Sequence, residues 1–314
     1  MTKERHKGKK EYRVTNWREY NKSLKQRGSL TIWLSEDFEK SWIAGQEDQR
    51  RGRPFIYSDT SMNLMLTLRH LFKLALRQLT GFVESLFTLI EKALPVPEFS
   101  RLSKRASKTV SRLGLPPLEK VSHLVIDSTG LKVFGEKEWL ETKHGKQYQH
   151  KIWRKLHIGV EGEGIIVARK MTDHRTDDRA CVSSLLNQAG TGYIDELLAD
   201  TGYDSHGIYH SLKNQGINLL ILPPINAVIS SETDPTLRDK TIDYIQKKGY
   251  WAWYNKNEFG RREKIENTFY RLKTIFGRKL LSRGWANQNA ETHLICCLLN
   301  KMTELGMPKT VKIA

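Results

Sequence analysis

At Pro116-Pro117 the hydrophobic period of this 314-residue sequence changes, and that change limits the folds open to it. Upstream, Leu79, Phe82, Val83, Leu86, Phe87 and Ile90 recur at i, i+3, i+4, i+7, i+8 and i+11, the stripe of a core-facing helix. Met62 to Leu76 is densely apolar and reads as another packing helix. After Pro95 and Pro97, Ser100 caps a third helix, with Leu102, Ala106, Val110 and Leu113 along one side. Arg101, Lys104, Arg105, Lys108 and Arg112 run along the other. Downstream, Val121 to Phe134 is rich in β-branched and apolar residues. Leu156 to Val160 and Ile165 to Lys170 read as two further strands joined by a Gly162-Glu163-Gly164 turn. Asp178 to Gln188 and Ser205 to Gln215 read as helices, and Ile194 to Asp200 and Asn218 to Leu222 as strands. Strands that first meander and then alternate with helices predict an α/β fold, a mixed sheet covered by helices, behind a small helical region.

The length suits one substantial core plus an accessory domain. Three parts are expected: a basic, partly disordered N-terminal region over 1–54, a helical domain over 55–117, and a larger domain over 118–314. Met1 to Arg27 carries many cations and hardly any aliphatic side chain, a composition that cannot build a core and predicts a mobile tail. A short aromatic segment around Trp33, Phe38 and Trp42 leads to the basic joint Arg50 to Pro54. Within the larger domain, about 223–260 is polar and reads as an insertion, with Lys247-Lys248 beside Tyr250, Trp251, Trp253 and Tyr254. Those aromatics suit either stacking on exposed bases or a small core of their own.

The formal charge of +17 sets up a positive field that attracts a polyanion, with nucleic acid first among the candidates. A basic face on the last helix of a small helical cluster suits a helix-turn-helix-like DNA reader, and reads equally as a solvated face. Cys181, Cys296 and Cys297 form no CxxC, so neither a disulfide framework nor a zinc cluster is indicated. The first residues lack the apolar core of a signal peptide, and no apolar run reaches the ~20 residues of a membrane span, so a soluble cytoplasmic protein is expected.

Asp127 is embedded in the apolar strand beginning at Leu124, where an uncompensated charge is costly. Asp200 ends a second apolar strand just before a turn, where open α/β sheets place their ligands. Each alone also reads as a turn or cap aspartate. A third acid, Glu266, borders the helical seam Ile265, Phe269, Leu272 and Phe276. Arg262, Glu266 and Lys273 fall on one stripe of that helix, with Glu263 and Lys264 rotated away from it. An ordinary Arg–Glu surface pair is the plain alternative.

The order Asp127, Asp200, Glu266, spaced by 73 and then 66 positions, resembles the acid triad of bacterial insertion-sequence DDE transposases, most of all the family named after insertion sequence 5. Phe259, Arg262, Glu266 and Lys273 are similar to that larger group's Tyr-x2-Arg-x3-Glu-x6-Lys signature, with phenylalanine in place of the tyrosine. The likeness extends over most of the chain, including Arg51 to Arg105. It implies an RNase H-like catalytic domain, binding to the element's terminal inverted repeats, and metal-dependent strand cleavage and strand transfer. Acids converging at ~5 Å repel by roughly 3 kcal/mol per pair at an effective dielectric of 20, which divalent cations relieve. Oxygen-only ligands point to Mg²⁺, with Mn²⁺ as substitute, and two ions suit an in-line displacement at phosphorus.

The resemblance makes Asp127 the bridging ligand, with Asp200 and Glu266 each on one ion. Arg262 and Lys273 then contact phosphate or steady the glutamate, and Arg101, Lys104, Arg105, Lys108 and Arg112 contact double-stranded DNA, at the element ends or the target. Paired ends imply a homodimer, in a bacterial cytoplasm at the nucleoid. Two rivals share these residues, a structure-selective RNase H-like nuclease and a non-catalytic repressor derived from a transposase. A tyrosine nucleophile at Tyr203 or Tyr270 is a lesser alternative. His144, His150 and His157 match no zinc spacing, and Asp177 or Asp178 reads as the start of a helix.

Overall fold

The computed structural model describes residues 12–33, 38–45, 55–118, 122–133, 153–190, 193–230 and 235–313. His144 and His150 lie outside them. The centre is a five-stranded sheet of β2 (Ser122–Lys132), β3 (Trp153–Glu161), β4 (Ile166–Asp173), β5 (Ile194–Ala199) and β6 (Asn218–Ile221), in the order β4-β3-β2-β5-β6. β2, β3 and β4 are antiparallel neighbours, while β5 runs parallel to β2 and β6 parallel to β5. This is the mixed sheet expected from the meander-then-alternation pattern.

Alternation along each strand splits the apolar residues between two faces. Leu124 and Ile126 of β2, Leu197 of β5 and Leu219 of β6 pack with Val182, Leu185, Ile208 and Leu212. These come from α6 (Val182–Ala189) and α7 (His206–Leu212). Ser205 starts α7 by accepting the Ile208 N–H, as a cap should. Val125, Leu131, Leu156, Ile158 and Leu198 face the other way, against α10 (Glu263–Ile275) and α11 (Trp285–Glu304). Sheet and helices thus form three layers with a core on each side.

Upstream, α3 (Asp59–Phe72), α4 (Leu76–Leu89) and α5 (Phe99–Val110) surround a separate cluster of Met62, Met65, Leu68, Leu79, Val83, Phe87 and Leu102. Trp42 completes it, 1% exposed, with its ring 4.9 Å from Phe87 and its Nε1–H on the Pro95 carbonyl at 2.7 Å. The aromatic segment before the basic joint is therefore part of the helical core.

The Pro116-Pro117 turn does not isolate the helices from the sheet. Leu66, Ala106 and Val110 belong to the sheet-side core, and α5 lies along α11. Asn287 donates to the Ser103 carbonyl at 2.9 Å, and His293 Nε2 lies 2.6 Å from the Leu113 carbonyl. A small side chain at Ala106 suits this close approach of two helices.

Residues 12–27, read from composition as a mobile tail, form β1 (Tyr12–Val14) and α1 (Trp17–Arg27), with the single turn α2 (Leu30–Trp33) after them. They are held by polar contacts that a hydrophobicity pattern does not register. β1 pairs antiparallel with β7 (Thr310–Lys312), and Arg27 donates to the Gly306 carbonyl at 2.7 Å. The region 223–260 contributes α8 (Leu237–Lys248) and α9 (Tyr250–Lys256). No helix among the described residues is long and apolar enough to cross a membrane.

Candidate active site

The middle of one strand, the end of its neighbour and one helix converge on the sheet face covered by α10. Asp127 shares the pleat face of Val125 and Leu131, and its side chain is 18% exposed. Its Oδ1 accepts the Ser128 N–H at 2.7 Å. Val125 lies beside Leu198 in the parallel pairing, so the register carried two residues further sets Asp200, just past the end of β5, next to Asp127 within β2. Asp200 caps the short turn Thr201–Tyr203, with Oδ1 accepting the Gly202 N–H at 2.9 Å.

Glu266 comes from the first turn of α10 and is half-exposed. Arg262, one turn earlier, joins it to the strand acid: Nη1 lies 3.5 Å from Asp127 Oδ2, while Nη2 donates to Glu266 Oε1. Burial pushes the Asp127 carboxyl up to about 6, and the charges of Asp200 and Glu266 add to the rise. The Ser128 N–H and Arg262 oppose it without cancelling it. The three acids therefore form one electrostatic cluster with Arg262 as its internal counter-charge.

Asp200, Arg262 and Glu266 line an open cleft of about 410 Å³ together with Thr201, Leu222, Tyr250, Tyr254, Phe259 and Glu263. Glu263, read from the helical wheel as rotated away, lies on the wall of this same cleft, because a groove is wider than one helix stripe. Lys273 stands two turns beyond Glu266, about 10 Å along α10, and is not in the cleft wall. Phe259 is buried against Trp253 and Tyr254, a packing role that requires no hydroxyl. The aromatic insert divides: Trp253 is 3% exposed and Trp251 57%, so the first is core and the second faces solvent.

The donor set of the cluster is carboxylate oxygen alone, which suits a hard divalent cation, and the repulsion felt at Asp127 is the strain such a cation relieves. As the side chains stand, no group of three or more His, Cys, Asp or Glu among the described residues is gathered tightly enough to hold a metal ion. Arg262 reaches both Asp127 and Glu266 instead.

One neighbour, read from sequence as a helix start and found at one, has partners that the sequence did not show. Asp178 turns back to the sheet, accepting from Ser128 Oγ at 2.6 Å and from Lys155 Nζ at 2.7 Å, while Asp177 caps the turn by accepting the Arg179 N–H. Burial works to raise the Asp178 carboxyl, and the bonds from Lys155 and Ser128 outweigh it. Strand alternation, which puts Ser128 and Lys155 on one face, is the only signal that pointed there.

Tyr203 is 1% exposed, and burial raises its hydroxyl pKa, reinforced by Asp127, Asp178 and Asp200, so it stays a phenol rather than a nucleophilic phenolate. Tyr270 points into solvent. His157 is fully buried, its Nε2 2.8 Å from Thr172 Oγ1, which makes it a core contact. On α5, Arg105 bonds to Asp59 and to the Tyr57 carbonyl and Arg101, Lys104 and Lys108 are exposed, while Arg112, just past the helix and also exposed, reaches Asp59.

The chain is similar to three solved assemblies: the piggyBac transposase synaptic complex with hairpin DNA (12% identity, 93% of this chain and 76% of that one, TM-score 0.41); a simian T-cell lymphotropic virus intasome in complex with PP2A regulatory subunit B56 gamma (18%, 70% and 72%, 0.24); and a pre-cleavage Mos1 transpososome (11%, 82% and 80%, 0.23). Likeness this remote carries no weight in the assignment. Two family models, each described as a transposase DDE domain, match residues 25–136 and 119–301. The second spans more than half of the sequence and includes all three acids of the cluster, and the chain belongs to the DDE transposase family.

Proposed function

We propose that this transposase binds the terminal inverted repeats of a bacterial insertion sequence, of the kind named after insertion sequence 5, and cuts and joins DNA with Asp127, Asp200 and Glu266. The observation that carries the reading is the electrostatic cluster: Asp127 is held high in pKa by burial and by the other two acids, and one guanidinium answers both it and Glu266. The DNA occupies the nucleoid, and the helical segment 55–117, with the basic region 1–54 before it, positions it against the catalytic segment 118–314. The insert at about 223–260 forms one wall of the cleft. Paired ends call for two copies of the chain acting together.

Asp127, Asp200 and Glu266 would hold Mg²⁺ or Mn²⁺. Such ions supply activation of a water or 3′-hydroxyl and stabilisation of the departing oxygen. The Ser128 and Gly202 N–H groups fix one oxygen of each aspartate and so orient the other. Arg262 keeps Glu266 directed at the strand ends and offers charge to a phosphate entering the cleft. Lys273, further along the helix, meets the backbone away from the cut.

Strand cleavage of a labelled element end in Mg²⁺ tests this, comparing wild type with Asp127→Ala, Asp200→Ala and Glu266→Ala. Cleavage and joining by wild type alone, with end binding retained in all three variants, is expected. Equal cleavage by the variants would make the acids structural, and cleavage without joining would favour a nuclease.

A further inference from the structure

Arg154 of β3 is far from the acids in sequence yet shares their sheet face, because Asp127 pairs with Ile158 and Leu131 with Arg154. Arg154 lies four positions before Ile158 on β3, which places it about 13 Å along the strand from the acid site. Duplex DNA advances ~3.4 Å per nucleotide along its axis, so that span is about four nucleotides.

The Arg154 head is fixed from two sides. Its guanidinium carbon lies 4.8 Å from the Trp285 ring centroid, and Nε donates to Gln288 Oε1 at 3.0 Å. Gln288 is fully buried and is itself oriented, its Nε2 donating to the Ser282 and Arg283 carbonyls at 3.2 and 3.0 Å. Stacking and one bond from Nε leave both terminal nitrogens, the fork that grips an oxyanion, without a hydrogen-bond partner among the described residues. Asp173 is the cross-strand neighbour on β4, but its Oδ1 is taken by the Arg175 and Thr176 N–H groups and the Thr176 hydroxyl. Trp285 is 47% exposed, and Arg283 beside it is exposed too. A buried glutamine anchoring a half-buried, stacked arginine does nothing evident for the core, whereas a guanidinium held in one orientation loses little freedom on binding a phosphate.

We propose that Arg154, oriented by Gln288 and stacked on Trp285, is a phosphate clamp that grips the DNA backbone about four nucleotides from the scissile phosphate. The inference rests on the reading of the acid cluster as the cutting site, which fixes where the scissile phosphate lies. The Asn287–Ser103 bond next to Trp285 puts the clamp beside α5, so its position continues the exposed cations of that helix toward the acids.

The test is equilibrium binding of the full chain to an element-end duplex in EDTA, with single neutral methylphosphonates walked along each strand. For Arg154→Ala we expect about tenfold weaker binding and a salt slope shallower by about 0.9. One methylphosphonate position, about four nucleotides from the cut, is expected to weaken wild type but not the variant. Arg154→Lys keeps the charge and the folded strand, and is expected to restore the slope but not the full affinity, since lysine has no planar fork. Wild-type affinity and slope in Arg154→Ala, or full recovery of affinity in Arg154→Lys, would overturn the clamp. Because binding needs no cleavage, loss of the clamp alone leaves the catalytic reading standing, whereas a wild type that fails to bind element ends undoes the proposed function first.

Discussion

Replacing Asp127 by asparagine separates what the carboxylate costs the fold from what it does in the reaction. Its pKa is raised from 3.8 to about 6, so the folded chain holds this proton more tightly than the unfolded chain does. The sign follows: the ionised carboxylate destabilises the fold in full above about pH 6, and the penalty disappears as pH falls below the unfolded value. Two pKa units correspond to about 3 kcal/mol. Asparagine cannot ionise, yet its Oδ1 can still accept the Ser128 N–H, and Arg262 keeps Glu266 as a partner. Asp127→Asn is therefore expected to be more stable than wild type by up to about 3 kcal/mol at pH 8 in EDTA, with the gain fading toward zero near pH 4. Urea unfolding at the two pH values measures it. Adding Mg²⁺ should raise the wild-type midpoint, by about 2.7 kcal/mol at a hundredfold excess over the dissociation constant, and leave the variant unmoved. A variant less stable than wild type at pH 8 would refute the reasoning, because it would mean that the carboxylate charge is satisfied within the fold.

Four other outcomes follow from the same structure. His70 and His157 are buried neutral, and burial lowers them to about 3 and about 4, so the unfolded chain takes up their protons first. Stability should fall as pH drops from about 6.5 toward 4, by about 2.7 kcal/mol per unit at the steepest before Asp127 offsets part of it; a flat urea midpoint between pH 7 and 5 would contradict this. Glu291, 4% exposed, accepts the Leu281 and Ser282 N–H groups at 2.6 and 2.8 Å and faces buried Arg69. Glu291→Ala should cost about 3–5 kcal/mol in urea unfolding, and Glu291→Gln less, since it keeps an acceptor. On α5, Lys104→Ala and Lys108→Ala should each take about 0.9 from the salt slope of DNA binding, and an unchanged slope would remove this helix from the interface. Arg105→Ala should instead register as lost stability, because its guanidinium is committed to Asp59 and the Tyr57 carbonyl.

Sequence and structure agree where hydrophobic period sets the answer. The strands around Val125, Ile158, Val167 and Leu198 and the helices carrying Phe87 and Phe269 are each specified by their own apolar spacing, and the sheet order follows from meander and crossover. What period does not encode is how polar atoms are satisfied. Asn16 and Arg27 fasten the N-terminal segment to residues near 306–309, contacts almost three hundred positions apart, and no local pattern announces them. The basic face of α5 was legible as a stripe. Its division into Arg105 and Arg112 on Asp59 and three exposed cations required knowing that α3 lies alongside. At the acid site, residue type and order pointed to Asp127, Asp200 and Glu266, while Asp178 does start a helical turn as its position indicated, and only its partners Ser128 and Lys155, brought to it by the pairing of β2 with β3, were hidden.

The three acids are unlike in how they are held, and the difference bears on the order in which the site assembles. Asp127 and Asp200 each have one oxygen fixed by a backbone N–H one or two residues on, and both leave adjacent strands of a sheet packed on both faces. Glu266 has a longer, half-exposed side chain, and it is paired with Arg262, the residue immediately before α10. Two acids are thus rigid and one adjustable, so a cation or phosphate entering the cleft can shift Arg262 and Glu266 without disturbing the sheet. On that basis Glu266→Gln should leave unfolding free energy within about 0.5 kcal/mol of wild type, as exposed substitutions usually do, while abolishing cleavage. Asp127→Asn should change both. A Glu266→Gln protein as strongly shifted in stability as Asp127→Asn would mean that the helix acid is part of the rigid frame, and that closure of the site involves movement of the sheet rather than of the α10 side chains.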